Sequence, residues 1–173
     1  GADDIEELKS ENIVALCDVD DAWAADTYRK YPDARRYRDF RVMLDKESGI
    51  DAVLVATPDH THAVITMAAL NKRKHVYCEK PLTWSVEEAR RIAEEAKRAG
   101  VATQLGNQGQ ASEEDRITRE IIADGVIGPV REVQVAISAR FWHWPAFLNR
   151  PSETPPVPDG LDWDLWLGPA PWR

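Results

Sequence analysis

Four short stretches hold the side chains with which this chain could do chemistry. Asp18 and Asp20 close the apolar run IVALC. Thr57, Pro58, Asp59, His60, Thr61 and His62 follow IDAVLVA. Glu79, Lys80 and Pro81 follow HVYC, and Asn107 and Gln108 follow Gly106. A carboxylate such as Asp18 can accept hydrogen bonds from ribose hydroxyls and repels a 2′-phosphate, which favours NAD over NADP. It can equally be a solvated loop acid or a helix N-cap. Thr57 offers a hydroxyl or a backbone N–H to phosphates, and His62 falls in the first turn of the next helix. The alternative there is capping by Asp59 or Thr61, with histidines that merely pack or face water, and for His60 the packing reading is preferred. Lys80, beside an acid and fixed by Pro81, can give up a proton if burial lowers its pKa, or steady an alkoxide as a point charge. Taken alone, EKP is more often an exposed Glu-Lys pair in a turn. Asn107 and Gln108 can orient a carboxamide, or serve the turn between Gly106 and Gly109. Trp142, His143 and Trp144 could stack on a sugar, although such clusters more often fill a domain interface. No paired His or Cys spacing marks a metal site.

What unites the four stretches is position. Each follows a strand-like run, and the strands alternate with helices. ENIVALCDVD carries an apolar core from Ile13 to Cys17; residues 21–31 read as a helix ending at Pro32. RRYRDF is a weak edge strand, followed by a helical FRVMLDKES closed by Gly49. IDAVLVATP is a continuous apolar strand of the kind buried on both faces. Residues 60–72 read as a helix with Val64, Met67, Ala68 and Leu70 as its apolar positions, and HVYC as a short strand. SVEEARRIAEEAKRAG carries a capping box at Ser85 and Glu88, an apolar face of Ala89, Ile92, Ala93 and Ala96, and a stop at Gly100. VATQLGNQ is the next strand, and Ser112 opens a helix containing Ile117, Ile121 and Ile122 that ends at Gly125.

This alternation predicts an α/β fold: a Rossmann-type, doubly wound parallel sheet with helices on both faces. Ligands of such sheets bind outside the carboxyl ends of the strands, where all four stretches lie. After GVIGP the pattern changes. Val133, Val135 and Ile137 alternate with Glu132, Gln134 and Ala136, a half-buried strand. A domain boundary is expected near Gly128-Pro129, with residues 1–128 binding the nucleotide and residues 129–173 beginning a second α/β domain with a mostly antiparallel sheet. The tail from Phe141 reads as loop, since it holds five of the seven Trp and seven of the eleven Pro.

With 43% hydrophobic and 30% charged residues and no long apolar run, the 173-residue chain has a globular composition and no membrane span. A net charge of −8 argues against nucleic acid as a partner, which requires a positive footprint. It does not argue against a nucleotide held by backbone N–H groups. Cys17 and Cys78 read as buried thiols. The opening GADDIEELKS lacks an initiator Met, so removal of an upstream segment is expected, and the compartment, cytoplasmic or exported, stays open.

Together IVALCDVD, AVLVATPDHTH followed by AAL, HVYCEKPLTWSVEEAR and GNQ resemble the Gfo/Idh/MocA family, from about Glu11 to about Arg140. The pairing of TPxxxH with a downstream EKP is the specific part. The tail RPSETPPVPDGLDWDLWLGPAP is similar to a branch whose members are often exported and act on sugars, with NAD-dependent glycosidases among its relatives. The resemblance implies that Asp18 binds the adenosine ribose, and that Thr57, Pro58 and His62 line the cofactor near its phosphates and nicotinamide ribose. It further implies that Glu79, Lys80 and Pro81 form the nicotinamide-side wall with Lys80 catalytic, and that Asn107 and Gln108 lie near the nicotinamide. The reaction implied is hydride transfer between NAD and a sugar or cyclitol hydroxyl, by a protein that is a homo-oligomer when full length.

The family's first strand and G-x-G-x-x-G turn have no counterpart here, nor has its later Asp and His pair. The chain therefore reads as a fragment in which the strand between IVALC and AVLVA is absent. Two other readings stand beside the dehydrogenase: a glycosidase that uses NAD transiently, and a non-catalytic interaction module.

Overall fold

The computed structural model describes residues 1–136 and 152–172. The chain forms two compact units, Gly1–Asn107 with Val157–Arg173, and Gln108–Pro156.

The first unit opens with a short helix, α1 (Ala2–Glu7), and then follows the predicted alternation. The elements are β1 (Ala15–Cys17), α2 (Asp21–Lys30), β2 (Arg35–Tyr37), α3 (Phe40–Lys46), β3 (Ala52–Val55), a 3-10 turn (Asp59–Thr61), α4 (His62–Asn71), β4 (His75–Glu79), α5 (Val86–Ala99) and β5 (Thr103–Gly106). Every strand pairing is parallel. β1 pairs with β2, and β3, β4 and β5 form a second sheet with Val55 opposite Cys78 and Glu79 opposite Gly106. Among the described residues β1 and β3 are not paired with one another, as the expected strand order required. One edge of each is open, with backbone donors and acceptors that another strand would satisfy. Cys17 and Cys78 lie in different sheets as free thiols.

Both sheets nevertheless serve one core. Val53, Val55, Val76 and Cys78 pack with Met43 and Leu44 of α3, Ala63, Ile65, Ala69 and Leu70 of α4, and Ile92 of α5; Ala15 and Cys17 of β1 close on the same cluster. α4 is the element held most deeply. Its buried residues, His62, Ala63, Ile65, Thr66, Ala69 and Leu70, share one broad face at the helical repeat, with exposed Val64 and Asn71 on the opposite side. The helix expected over 60–72 starts at His62, its first turn being 3-10 rather than α; of its apolar positions Leu70 is inside, Val64 exposed, and Met67 and Ala68 half-buried.

α5 shows the predicted punctuation. The Glu88 N–H donates to Ser85 Oγ at 3.2 Å, while Glu88 Oε2 accepts from the Ser85 and Trp84 N–H groups at 3.3 and 3.1 Å. Gly100 ends the helix at φ +66°, a left-handed conformation that favours glycine. Its inward face is Ile92, Ala96 and Ala99, whereas Ala89 and Ala93 are exposed.

The tail is not all loop. After α6 (Glu113–Ala123) of the second unit, Asp162 caps a helix of five residues, α7 (Trp163–Leu167); the Leu165 N–H donates to the Asp162 carboxylate at 3.1 Å. Asp20 and Leu161 form an antiparallel bridge, and the Asp162 N–H donates to the Val19 carbonyl at 2.8 Å. Trp166 meets His60 edge-on at 5.1 Å and stacks with Trp163 at 5.0 Å. Gly168 has φ +53° and brings its backbone against Thr61, where a Cβ would lie 3.2 Å from the methyl carbon.

The second unit contains a 3-10 turn (Gln108–Ala111) and α6 (Glu113–Ala123), capped by Ser112 as expected. The strand expected over 133–137 does not form within its described part. Residues 130–136 are irregular, with Val133 and Val135 74% and 76% exposed. Alternation alone makes no strand where no partner edge pairs with it. Ile137 and the Trp142-His143-Trp144 cluster lie outside the described residues. No described helix is long and apolar enough to cross a membrane.

Candidate functional site

The carboxyl ends of β3 and β4 meet at a cleft of about 240 Å³. Its walls are Thr57 and Asp59 after β3, His62 at the head of α4, and Glu79 and Lys80 at the end of β4, with Asp3 and Asp4 of α1 on the remaining side. Four of the residues singled out from the sequence are thus brought together: Thr57, His62, Glu79 and Lys80.

The β3 end is fixed by side chains. The Thr61 hydroxyl lies 2.8 Å from both the Thr57 hydroxyl and the Pro58 carbonyl, and the Thr61 N–H donates to that carbonyl at 2.9 Å. Neither Asp59 nor Thr61 supplies a side-chain cap to α4. His62 is 1% exposed, its Nδ1 2.7 Å from the Pro81 carbonyl and its Nε2 2.8 Å from the Thr57 carbonyl. Burial works to lower its pKa, but the Cys78 thiol and the Pro81 and Thr57 carbonyls outweigh that and raise it from 6.5 to about 9. His60 takes the packing role expected of it, with Nε2 2.8 Å from the Trp166 carbonyl.

At the β4 end the Lys80 side chain is exposed, while its N–H donates to the Gly106 carbonyl at 3.3 Å. The Lys80–Pro81 peptide is cis. Gly106 faces the Glu79 carboxylate so closely that a Cβ there would collide with it. A side chain at position 106 would therefore drive Glu79 from its place.

Asp18 stands at the end of β1 and does not line this cleft. Its Oδ1 accepts from the Asp20 N–H at 2.9 Å, while Asp20 caps α2 by accepting from Ala22 and Trp23 N–H at 2.9 and 3.0 Å. The cap is thus Asp20, and the Asp18 carboxylate is left for another role. Burial raises the Asp18 pKa, with the Asp20 and Asp21 carboxylates adding to it and the Asp20 N–H opposing. Asn107 follows β5 directly and is exposed; Gln108 begins the second unit. What sequence reasoning missed is the segment around α7, contacting Val19, Asp20 and His60. Its signal was present: an Asp before WDLWL, closed by a glycine.

Among the described residues no three His, Cys, Asp or Glu side chains gather as a metal site would require. A carboxylate ends β1, a hydroxyl follows β3, an ammonium follows β4 and an amide follows β5, all at carboxyl ends of parallel strands. The alternating helices and parallel strands are those of a Rossmann-type dinucleotide-binding fold.

Residues 2–107 match the model of the GFO_IDH_MocA oxidoreductase family, whose fold is the NAD-binding Rossmann fold. The chain belongs to that family. It is 27% identical over 127 residues to myo-inositol 2-dehydrogenase of Thermotoga maritima, covering 73% of this chain and 38% of that protein. It is 37% identical over 94 residues to 1,5-anhydro-D-fructose reductase of Ensifer adhaerens, covering 54% and 26%. An inositol dehydrogenase homologue from Azotobacter vinelandii, solved with NADH and myo-inositol, aligns with a TM-score of 0.64 and 34% identity over 69% of this chain and 34% of that one. The chain thus spans little more than a third, at most, of these relatives.

Proposed function

We propose that the full protein is an NAD-dependent oxidoreductase that moves hydride between nicotinamide and a sugar or cyclitol carbon bearing a hydroxyl, with Lys80 assisting transfer of the hydroxyl proton. The observation that carries this reading is Lys80 itself. Its exposed side chain leaves the end of a parallel strand into a cleft it shares with Thr57 and Glu79. Relatives named for inositol and anhydrofructose chemistry support a polyhydroxylated substrate.

The roles follow from the chemistry of the side chains. Asp18 accepts hydrogen bonds from the adenosine ribose and disfavours a 2′-phosphate. Thr57 and Pro58 border the phosphates. Glu79, Lys80 and Pro81 form the wall beside the nicotinamide, and Asn107 and Gln108 orient its carboxamide. Bound nicotinamide supplies the hydride acceptor. Lys80 steadies the developing alkoxide as a point charge while a second base takes the hydroxyl proton.

The test is cofactor reduction by the full-length protein across a panel of inositols and hexoses, wild type against Lys80→Met. Turnover is expected to fall by about 10²–10⁴, the range for loss of one acid–base group. Unchanged turnover removes Lys80 from the mechanism. Cleavage of a chromogenic glycoside without accumulation of NADH would replace the dehydrogenase by a glycosidase.

A further inference from the structure

We propose that His62 is a positioning residue, held as a doubly protonated imidazolium that ties the loop after β3 to the loop after β4 and so fixes the backbone from which Lys80 projects. Each ring nitrogen lies at hydrogen-bond distance from a backbone carbonyl, Nδ1 at 2.7 Å from Pro81 and Nε2 at 2.8 Å from Thr57. A carbonyl oxygen only accepts, so each nitrogen must carry a proton. A neutral imidazole has one N–H and one lone pair. Either tautomer would set that lone pair against an oxygen at less than 3 Å, in a ring that is 1% exposed. The cation satisfies both contacts, with the extra strength of charge-assisted hydrogen bonds.

The surroundings favour the charge. Cys78 of β4 brings its thiol to the ring. Asp59 of the 3-10 turn, Glu79 and Lys80 at the end of β4, Asp3 and Asp4 of α1, and the Gly1 α-ammonium, paired with Asp4 at 2.9 Å, share the cleft whose wall His62 forms: four carboxylates against two ammonium groups. The pKa raised to about 9 agrees.

The consequence is mechanical. Thr57 and Pro81 are 24 positions apart in sequence and end different strands, yet both carbonyls are drawn to one ring. Pro81 follows Lys80 directly, so the clamp sets where the lysine begins. The inference concerns the chain's own packing and holds whatever the reaction proves to be.

The experiment is long-range proton–nitrogen NMR of the histidine rings in the 173-residue chain, with the His62 signals assigned by their loss in His62→Gln. If that variant does not fold, assignment follows by elimination from His60→Gln, His75→Gln and His143→Gln. Both His62 nitrogens are expected to carry protons at about pH 7, with a titration midpoint near 9. A single neutral tautomer at about pH 7, or a midpoint near 6.5, overturns the proposal. The positioning role has its own readout in amide exchange. The Lys80 N–H, bonded to Gly106, should exchange at least about tenfold faster in His62→Gln, relative to the Val76 N–H bonded to Ala102 in the same strand. Equal acceleration of the two amides, or none, reduces His62 to ordinary packing.

Discussion

The buried imidazole makes the stability of this chain depend on pH in a direction that can be worked out beforehand. In the folded chain His62 keeps its proton to about pH 9, whereas an unperturbed ring releases it near 6.5. Below 6.5 both folded and unfolded states bind the proton, and the stabilisation is fully present. Between 6.5 and 9 the unfolded state has lost a proton that the native state retains, so stability falls by about 1.4 kcal/mol per pH unit. The whole interval corresponds to about 3 kcal/mol, a large share of the roughly 5–15 kcal/mol of a typical domain. Higher pH must be read separately. Burial pushes the Cys17 thiol up to about 12, with Asp18 and Asp39 adding to it, so this group's own contribution is lost from about pH 9 upward. Burial likewise raises the Tyr28 hydroxyl to about 12, a loss that begins near 10. Urea unfolding at intervals from about pH 6 to pH 9, followed by far-ultraviolet circular dichroism, measures the His62 effect. With a urea dependence of about 1–3 kcal/mol per molar, the midpoint should fall by about 1–3 M. In His62→Gln the decline over this interval should vanish, leaving a chain that is less stable at pH 6 and nearly level to pH 9. A wild-type midpoint that does not move between 6.5 and 9, or a decline that survives in His62→Gln, refutes the reasoning.

Three further substitutions test the frame around the site. Ser85→Ala removes the side-chain half of the α5 capping box and should cost about 1 kcal/mol, read as a lower urea midpoint. Leu70→Ala empties a fully buried position in α4 and should cost about 2–5 kcal/mol on the same measurement, with a value below about 1 kcal/mol contradicting the packing described. Trp166→Ala removes the edge contact with His60 and the stack with Trp163, and should make the Leu161–Leu167 segment open to limited proteolysis while β3, β4 and α4 stay resistant.

The parts of this fold that were legible in the sequence are those encoded by neighbours in the chain. IDAVLVA is apolar because β3 is covered, and it was read as a strand for that reason. Ser85, Glu88 and Gly100 punctuate α5 by bonds spanning only a few residues, and all three do what their spacing announced. The family, the NAD-binding fold and the parallel sheet were likewise readable, because TPxxxH and EKP each follow a strand. Illegible were features decided by distant partners. The inward face of α4 could not be taken from hydropathy, because polar His62 and Thr66 lie on it while apolar Val64, Met67 and Ala68 lie off it. The alternation of Val133 and Val135 promised a strand, but among the described residues no partner edge pairs with it. α7 was hidden by the Pro and Trp content around it, although Asp162 and Gly168 marked its ends.

The two histidines of ATPDHTH show where that boundary lies. They are two residues apart and share a composition, and no local rule separates them. His60 is claimed by Trp166, 106 positions along the chain, so its role is set by the fold-back of the tail. His62 is claimed by Pro81 and Thr57, 19 and 5 positions away. The first contact leaves one ring nitrogen committed and the ring against an indole edge; the second commits both nitrogens to acceptors. That difference in acceptors alone makes one an ordinary packing residue and the other a buried cation. A metal-binding reading of the H-x-H spacing fails on the same ground, since the His62 nitrogens must be protonated for the contacts they make, and a metal ligand must not be. The chemistry of a strand-end loop is therefore decided less by which residues it contains than by which carbonyls the neighbouring loop turns toward them.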